Sequence, residues 1–208
     1  SEHWIGQYSS HVIFSSSYIE LSAVPPEVAE NHLLGWLARH DGLHIIAFRT
    51  GDAERSSAHL ARAFPPKSEL RCASRRVSAG GVEGMARFTW FKLPDELGKV
   101  AFGCMVHHHT PELVFAKGLM KHPNGAVSLK GLRAIVSDPA AAAERYAALP
   151  GAALERRGSD AAVQLGEREI VLTDAAGFAR AFPSAHAPVA PSVGSYTLSA
   201  EKIGRAHV

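Results

Sequence analysis

Only two cysteines, Cys72 and Cys104, occur in the 208 residues, far apart and outside any CxxC spacing. Their scarcity argues against a disulfide framework and a structural zinc site, and it suits a reducing compartment. An excess of one charge is missing too: 22 Lys and Arg stand against 20 Asp and Glu, a formal +2. Nucleic-acid binders need a basic stripe, so DNA and RNA are not expected partners. No apolar run reaches the roughly 18–20 residues of a membrane span, and the opening SEHWIGQYSS has no apolar signal-peptide core. A cytoplasmic protein without membrane partners is expected. A phosphate loop, a dinucleotide fingerprint and a Ser-His-Asp arrangement are also missing, and Gly80-Gly81 fits none of them.

What is present is an ordinary 46% hydrophobic content, enough for a real core, and 12 histidines, among them the run His107-His108-His109. SSHVIFSSSYIELSAV reads as two strands joined by a turn at Ser15-Ser16-Ser17. After Pro25-Pro26, EVAENHLLGWLARHDG has Val28, Leu33, Trp36 and Leu37 near helical spacing, which predicts a connecting helix stopped at Gly42.

A β–α unit follows, with a strand from Leu43 to Arg49, an N-cap at Asp52 and a stop at Pro65-Pro66. GLRAIVSDPAAAAERYAALPG repeats it, with a strand from Leu132 to Val136, Asp138 as N-cap, Pro139 at the first helical position and Gly151 at the end. The stretches between supply strands, and DAAVQLGEREIVLTDA supplies a hairpin. The expected fold is α/β of the α+β kind, with βαβββ modules repeated at roughly 90 residues and mixed, mainly antiparallel, cupped sheets. The expected division is a partial first module (1–24, last strands only), a second module with the connecting helix (25–115), a third (116–185), and a tail opening a further module (186–208). The tail, SVGSYTLSAEKIGRAHV, reads as a strand followed by the start of a helix.

In YIELSAV, one residue stands apart. Alternation puts Tyr18, Glu20 and Ser22 on one face and Ile19, Leu21 and Ala23 on the other. A wet surface carboxylate is the ordinary reading of Glu20. Laid on AVQLGEREIVLTDA, the hairpin HVIFSSSYIELSAV puts Glu20 on Val171, so the later copy is apolar where the first is acidic.

GQYSSHVIFSSSYIELSAV, GLHIIAF, HHHTPELV, HPNGAVSLKGL and SDPAAAAERYAALPG resemble the glyoxalase-like domain proteins of the vicinal oxygen chelate superfamily, which also contains bleomycin-resistance proteins and extradiol dioxygenases. The resemblance implies a cup holding a divalent metal (Zn, Ni, Co, Mn or Fe). It implies Glu20 and His44 as ligands, and His108 as the candidate on the last strand of the second module, where a carboxylate is more usual. It likewise implies catalytic roles for Glu20 and His108. In the later module Arg133 and Val171 take the positions of His44 and Glu20, which implies a structural or lid role there.

Tyr18 shares the Glu20 face, and His11 on the neighbouring strand and His107 are further candidates for substrate contact. His107 and His108 alternate in face, so one site can use either His108 or the pair His107 and His109. His122 in HPNG reads as a turn residue and Trp90 as core.

The function expected from the resemblance is a metal-dependent enzyme of lyase, isomerase or dioxygenase type on a small oxygenated or electrophilic molecule. A metal-free small-molecule binding or resistance protein using the same cup is the alternative, and a non-catalytic scaffold the third. The edge near residues 8–24 is expected to be capped by the C-terminal strand near Tyr196 to Ser199 or by a second subunit in a homodimer.

Overall fold

In the computed structural model of the chain, residues 2–3, 6–40 and 42–201 are described. They form three sheets. The first holds β1 (Glu2–His3), β2 (Gln7–Ile13) and β3 (Tyr18–Ala23), all antiparallel. The second holds β4 (Ile45–Thr50), β5 (Arg71–Ala79), β6 (Val82–Lys92) and β7 (Phe102–His108) in the order β4-β7-β6-β5, with only β4–β7 parallel. The third repeats that order as β8-β11-β10-β9 from β8 (Ala126–Ile135), β9 (Ala152–Arg157), β10 (Asp160–Leu165) and β11 (Arg168–Thr173), and adds β12 (Ser192–Ala200) antiparallel on β8. These are the repeated βαβββ modules of mixed, mainly antiparallel strands that the sequence predicts.

Each complete module carries a helix where the sequence places a cap. Of α1 (Leu34–Leu37), α2 (Ala53–Leu60), α3 (Pro111–Val114), α4 (Pro139–Tyr146) and α5 (Ala175–Ala181), the second begins where Asp52 accepts the Arg55 N–H at 2.9 Å and the fourth where Asp138 accepts the Ala141 N–H at 2.9 Å. Pro139, lacking an N–H, sits in the first turn without loss. The hairpin between β5 and β6 turns on Gly80 and Gly81, at φ +63° and +81°, a conformation that side chains with a Cβ resist.

Two expectations differ from what is observed. The connecting helix shrinks to the single turn of α1, because Asn31 Oδ1 takes the Leu33 N–H at 2.8 Å and gives the backbone a local alternative to an earlier helix start. The strand near Tyr196 to Ser199 does not cap β3. Instead, β12 lengthens the third sheet, pairing Tyr196 with Leu132 and bridging Val193 to Leu43. The helix expected after this strand falls largely on residues 202–208, outside the described residues.

One apolar core serves both complete modules. Ile46, Leu60, Phe91 and Met105 of the second pack with Tyr146, Val163, Ile170 and Leu172 of the third. The buried Tyr146 hydroxyl donates to the Leu97 carbonyl at 2.8 Å, joining α4 to the other module. The β2–β3 hairpin is tied to both: the His122 ring bonds the Ile13 carbonyl at 2.8 Å, and Arg168 Nη2 donates to Ser16 Oγ at 2.5 Å. His122 therefore has the structural role expected of it. Trp90 is half-buried beneath the Arg71 guanidinium, 5.5 Å from its ring.

Because β12 closes the β8 edge and bridges the modules, ending the chain at Pro191 is expected to lower the thermal midpoint by roughly 5 °C or more. Differential scanning calorimetry of both forms checks this, and an unchanged midpoint would mean that β12 carries no share of the fold.

Candidate functional site

The β2–β3 ladder pairs His11 with Glu20 and Ser9 with Ser22, the register of Ala162 with Val171 in the third module. Glu20 and Val171 are therefore equivalent, as the sequence overlay has it. The Val171 neighbours Ile170 and Leu172 face the shared core, and the opposite face is the one Glu20 shares with Tyr18 and Ser22.

On that face the carboxylate is well held. Ser9 Oγ donates to Glu20 Oε1 at 2.5 Å, Ser22 Oγ donates to the same oxygen at 3.1 Å, and His11 Nε2 lies 3.5 Å from Oε2. Burial works against ionisation of Glu20, but the bonds from His11, Ser9 and Ser22 outweigh it and bring the carboxyl down to about 2. Arg75 Nη1 lies 3.3 Å from the same His11 nitrogen. In the neutral ring that nitrogen can donate to Glu20 or accept from Arg75, one at a time.

In the second module, alternation along β4 puts Ile45, Ala47 and Arg49 on the open face, where Ala47 and Arg49 are exposed, and Ile46 and Phe48 toward the core. His44, one residue before β4, is buried like Ile46. Its Nε2 bonds the His40 carbonyl at 2.6 Å, and its ring lies 6.5 Å from Trp36. On β7 the open face carries Phe102, Cys104, Val106 and His108, whereas His107 points the other way and packs its ring 4.2 Å from His109.

Register also corrects which positions correspond. Counted back from the capping residues Asp52 and Asp138, Arg133 matches Ala47, and their ladder partners are Val171 and Cys104. The second module thus has Ala47 and Cys104 at the ladder positions of Arg133 and Val171, where the resemblance implies His44 and His108. The stretch from GLHIIAF to its cap Asp52 is longer than that from GLRAIVS to Asp138, so the residues after the two Gly-Leu pairs do not share a ladder position. Glu20, His44 and His108 all line one cleft, but Glu20 is bonded by Ser9 and Ser22 and His44 by the His40 carbonyl. Among the described residues, no group of three or more His, Cys, Asp or Glu side chains is placed to hold a metal ion. The donor set does not fit the metal that the resemblance implies.

In the third module the equivalent space is filled. Arg133 Nη1 donates to Asp160 Oδ2 at 2.8 Å, Thr173 Oγ1 donates to Asp160 Oδ1 at 2.7 Å, and Phe178 of α5 is buried against the chain at Gly194. The position of Arg133 and Val171 is thus occupied by the module's own side chains, while its Leu132, Arg168 and Glu169 border the cleft of the second module.

The space left open is a cleft of about 510 Å³ between the β2–β3 hairpin, the β4–β7 face and the near end of the third sheet. Its walls include Leu33, Ile45, Val106, Phe115, Leu132 and Val193, with Glu20, Tyr18, Arg49, His108, Arg168 and Glu169 as polar groups. His11 stands behind Glu20, outside this lining.

His108 is the most unusual of these. It is only 8% exposed and neither ring nitrogen has a hydrogen-bond partner. Phe88 and Phe115 each lie 5.3 Å from its ring, and Tyr18 lies 6.3 Å away. Burial, then the Arg49 and Arg75 cations, then His107, lower His108 to about 4, so the ring is neutral at pH 7. Burial, then the Glu20 charge, push the Tyr18 hydroxyl up to about 12. Arg49, Phe115 and Arg168 were missed from sequence. Arg49 was legible in the alternation of IIAFRT, but the two others lie beside the cleft only through tertiary packing.

A glyoxalase-like domain model matches residues 1–150. The chain belongs to the glyoxalase-like domain family. The match spans the hairpin, the second module and the opening β–α of the third, so Glu20, Arg49 and His108 all lie inside it. A hypothetical protein from Staphylococcus aureus has a similar fold, at a TM-score of 0.58 and 12% identity, over 81% of this chain and 73% of that one. No curated protein sequence matches.

A carboxyl held near 2 in the fold, against an ordinary 4.5, contributes stability that is present above pH 4.5 and lost as pH falls toward 2. The Glu20→Gln variant is therefore expected to be less stable than the parent at pH 7, by about 2–3 kcal/mol, with the gap closing toward pH 2. Urea unfolding at both ends of that range measures it, and an equal gap at both would mean that the charge is not what matters.

Proposed function

We propose that this glyoxalase-like domain protein binds a small, largely apolar, oxygen-bearing molecule in the cleft through its own side chains, without a metal ligand set. The observation that carries this is His108. A buried imidazole with two unpartnered nitrogens costs roughly 1–3 kcal/mol per unmet group, a cost that native proteins tolerate where a ligand supplies the partner. The neutral ring can donate from one nitrogen and accept at the other, which suits a carbonyl or hydroxyl oxygen. The 510 Å³ volume is that of a small-molecule site, and the apolar walls with few polar groups match its usual make-up.

Glu20 supports the site without serving as its base. Its carboxylate is tied by Ser9, Ser22 and His11 and is a weak proton acceptor near neutral pH. Tyr18, whose hydroxyl burial and then the Glu20 charge hold up at about 12, is protonated at neutral pH and can serve as a second donor in the cleft. The metal-dependent lyase or dioxygenase reading rests on the family alone, and Ala47 and Cys104 at the matching positions of the second module do not favour it.

The test uses 2-acetylnaphthalene, a neutral fluorescent ketone sized for the cleft. Saturable binding is expected, weakened about tenfold or more in His108→Phe, while the variant unfolds at the same or higher temperature because no buried nitrogen is left unmet. Calorimetry and fluorescence titration give both readings. Equal affinity in parent and variant, or no binding to either, would overturn the assignment.

A further inference from the structure

We propose that the ligand carries a carboxylate, seated between the Arg49 guanidinium and the His108 ring against Phe115. This deepens the binding reading above and rests on it.

The geometry begins with Arg49. It extends from the open face of β4, is exposed to the cleft, and among the described residues has no carboxylate partner. Its guanidinium lies 5.1 Å from the centre of the Phe115 ring, and that ring lies 5.3 Å from the His108 ring, so both polar groups border one aromatic side chain. A guanidinium over an aromatic ring can still present its planar edge of N–H donors, the shape that fits both oxygens of a carboxylate. His108 adds a neutral donor from a ring otherwise enclosed by aromatic side chains.

The charge balance of the cleft points the same way. Its two carboxylates already have basic partners: Glu20 has His11 at 3.5 Å, and Glu169 has Arg157 Nη1 at 2.9 Å. Its two guanidinium groups, Arg49 and Arg168, have none of opposite charge, and Arg168 is held instead by Ser16 Oγ and the Leu129 carbonyl. Arg157 is shared with Glu155, but among the described residues neither guanidinium of the lining has a carboxylate of its own, and an anion beside apolar walls gains more from such a partner than in water. Of the two cations, Arg49 stands beside the unpartnered imidazole, and it is the one assigned here. An apolar body bearing a single carboxylate is the ligand class this arrangement selects.

The experiment compares 2-naphthoate with 2-acetylnaphthalene on the intact chain at low ionic strength, in parent and Arg49→Met forms. The parent is expected to bind naphthoate roughly tenfold more tightly than the ketone. Arg49→Met is expected to erase that preference, the ratio of the two affinities falling to about one. Ketone binding with no preference for naphthoate overturns the carboxylate assignment and leaves the binding reading standing. A preference that survives in Arg49→Met overturns the role of Arg49. Failure of both probes to bind the parent overturns the binding reading and this inference with it.

Discussion

The shared apolar core, closed by the Tyr146 hydroxyl on the Leu97 carbonyl, fixes how the two complete modules meet. Everything at the site follows from that contact. With the core faces of both modules spent on each other and on helices α2 and α4, the other faces are left to face outward or to be filled. The third module fills its own with the Arg133, Asp160 and Thr173 network and with Phe178. The second keeps its face open and is roofed by the β2–β3 hairpin instead. The cleft is the space between that roof, that face and the near end of the third sheet.

Within the cleft, the polar groups divide into those already satisfied and those not. Glu20 belongs to the first kind, because three neighbours on its own hairpin and across the ladder hold its charge. His108 belongs to the second, because its strand delivers it into a ring of aromatic side chains that offer no hydrogen bond. A buried polar group left this way is a local departure from the rule that governs the rest of the core, and such departures gather where a ligand is to be met.

Much of this was legible in the sequence, for reasons that are local. The caps at Asp52 and Asp138 depend on a side chain reaching a backbone N–H a few residues on, so the motif and the geometry coincide. The hairpin overlay held because strand alternation and a matched turn fix register, and His11 opposite Glu20 repeats Ala162 opposite Val171. The connecting helix was not legible, since Asn31 offers the backbone a competing bond that helical spacing does not register. Nor was the fit of His44 and His108 to the ligand positions. That depends on where β4 starts relative to its cap, which the Gly-Leu pairs of the two copies do not reveal. The strand order that sends β12 to β8 rather than to β3 is a tertiary choice, made where Leu43 and Val193 meet.

The central claim is that a ligand satisfies His108. Nitrogen-detected NMR of the ring, with and without 2-naphthoate, tests it most directly. The account predicts that at least one His108 ring nitrogen moves to the shift of a hydrogen-bonded imidazole on saturation, while the His122 ring, bonded to the Ile13 carbonyl, stays where it was. A His108 ring unchanged at saturating naphthoate would contradict it.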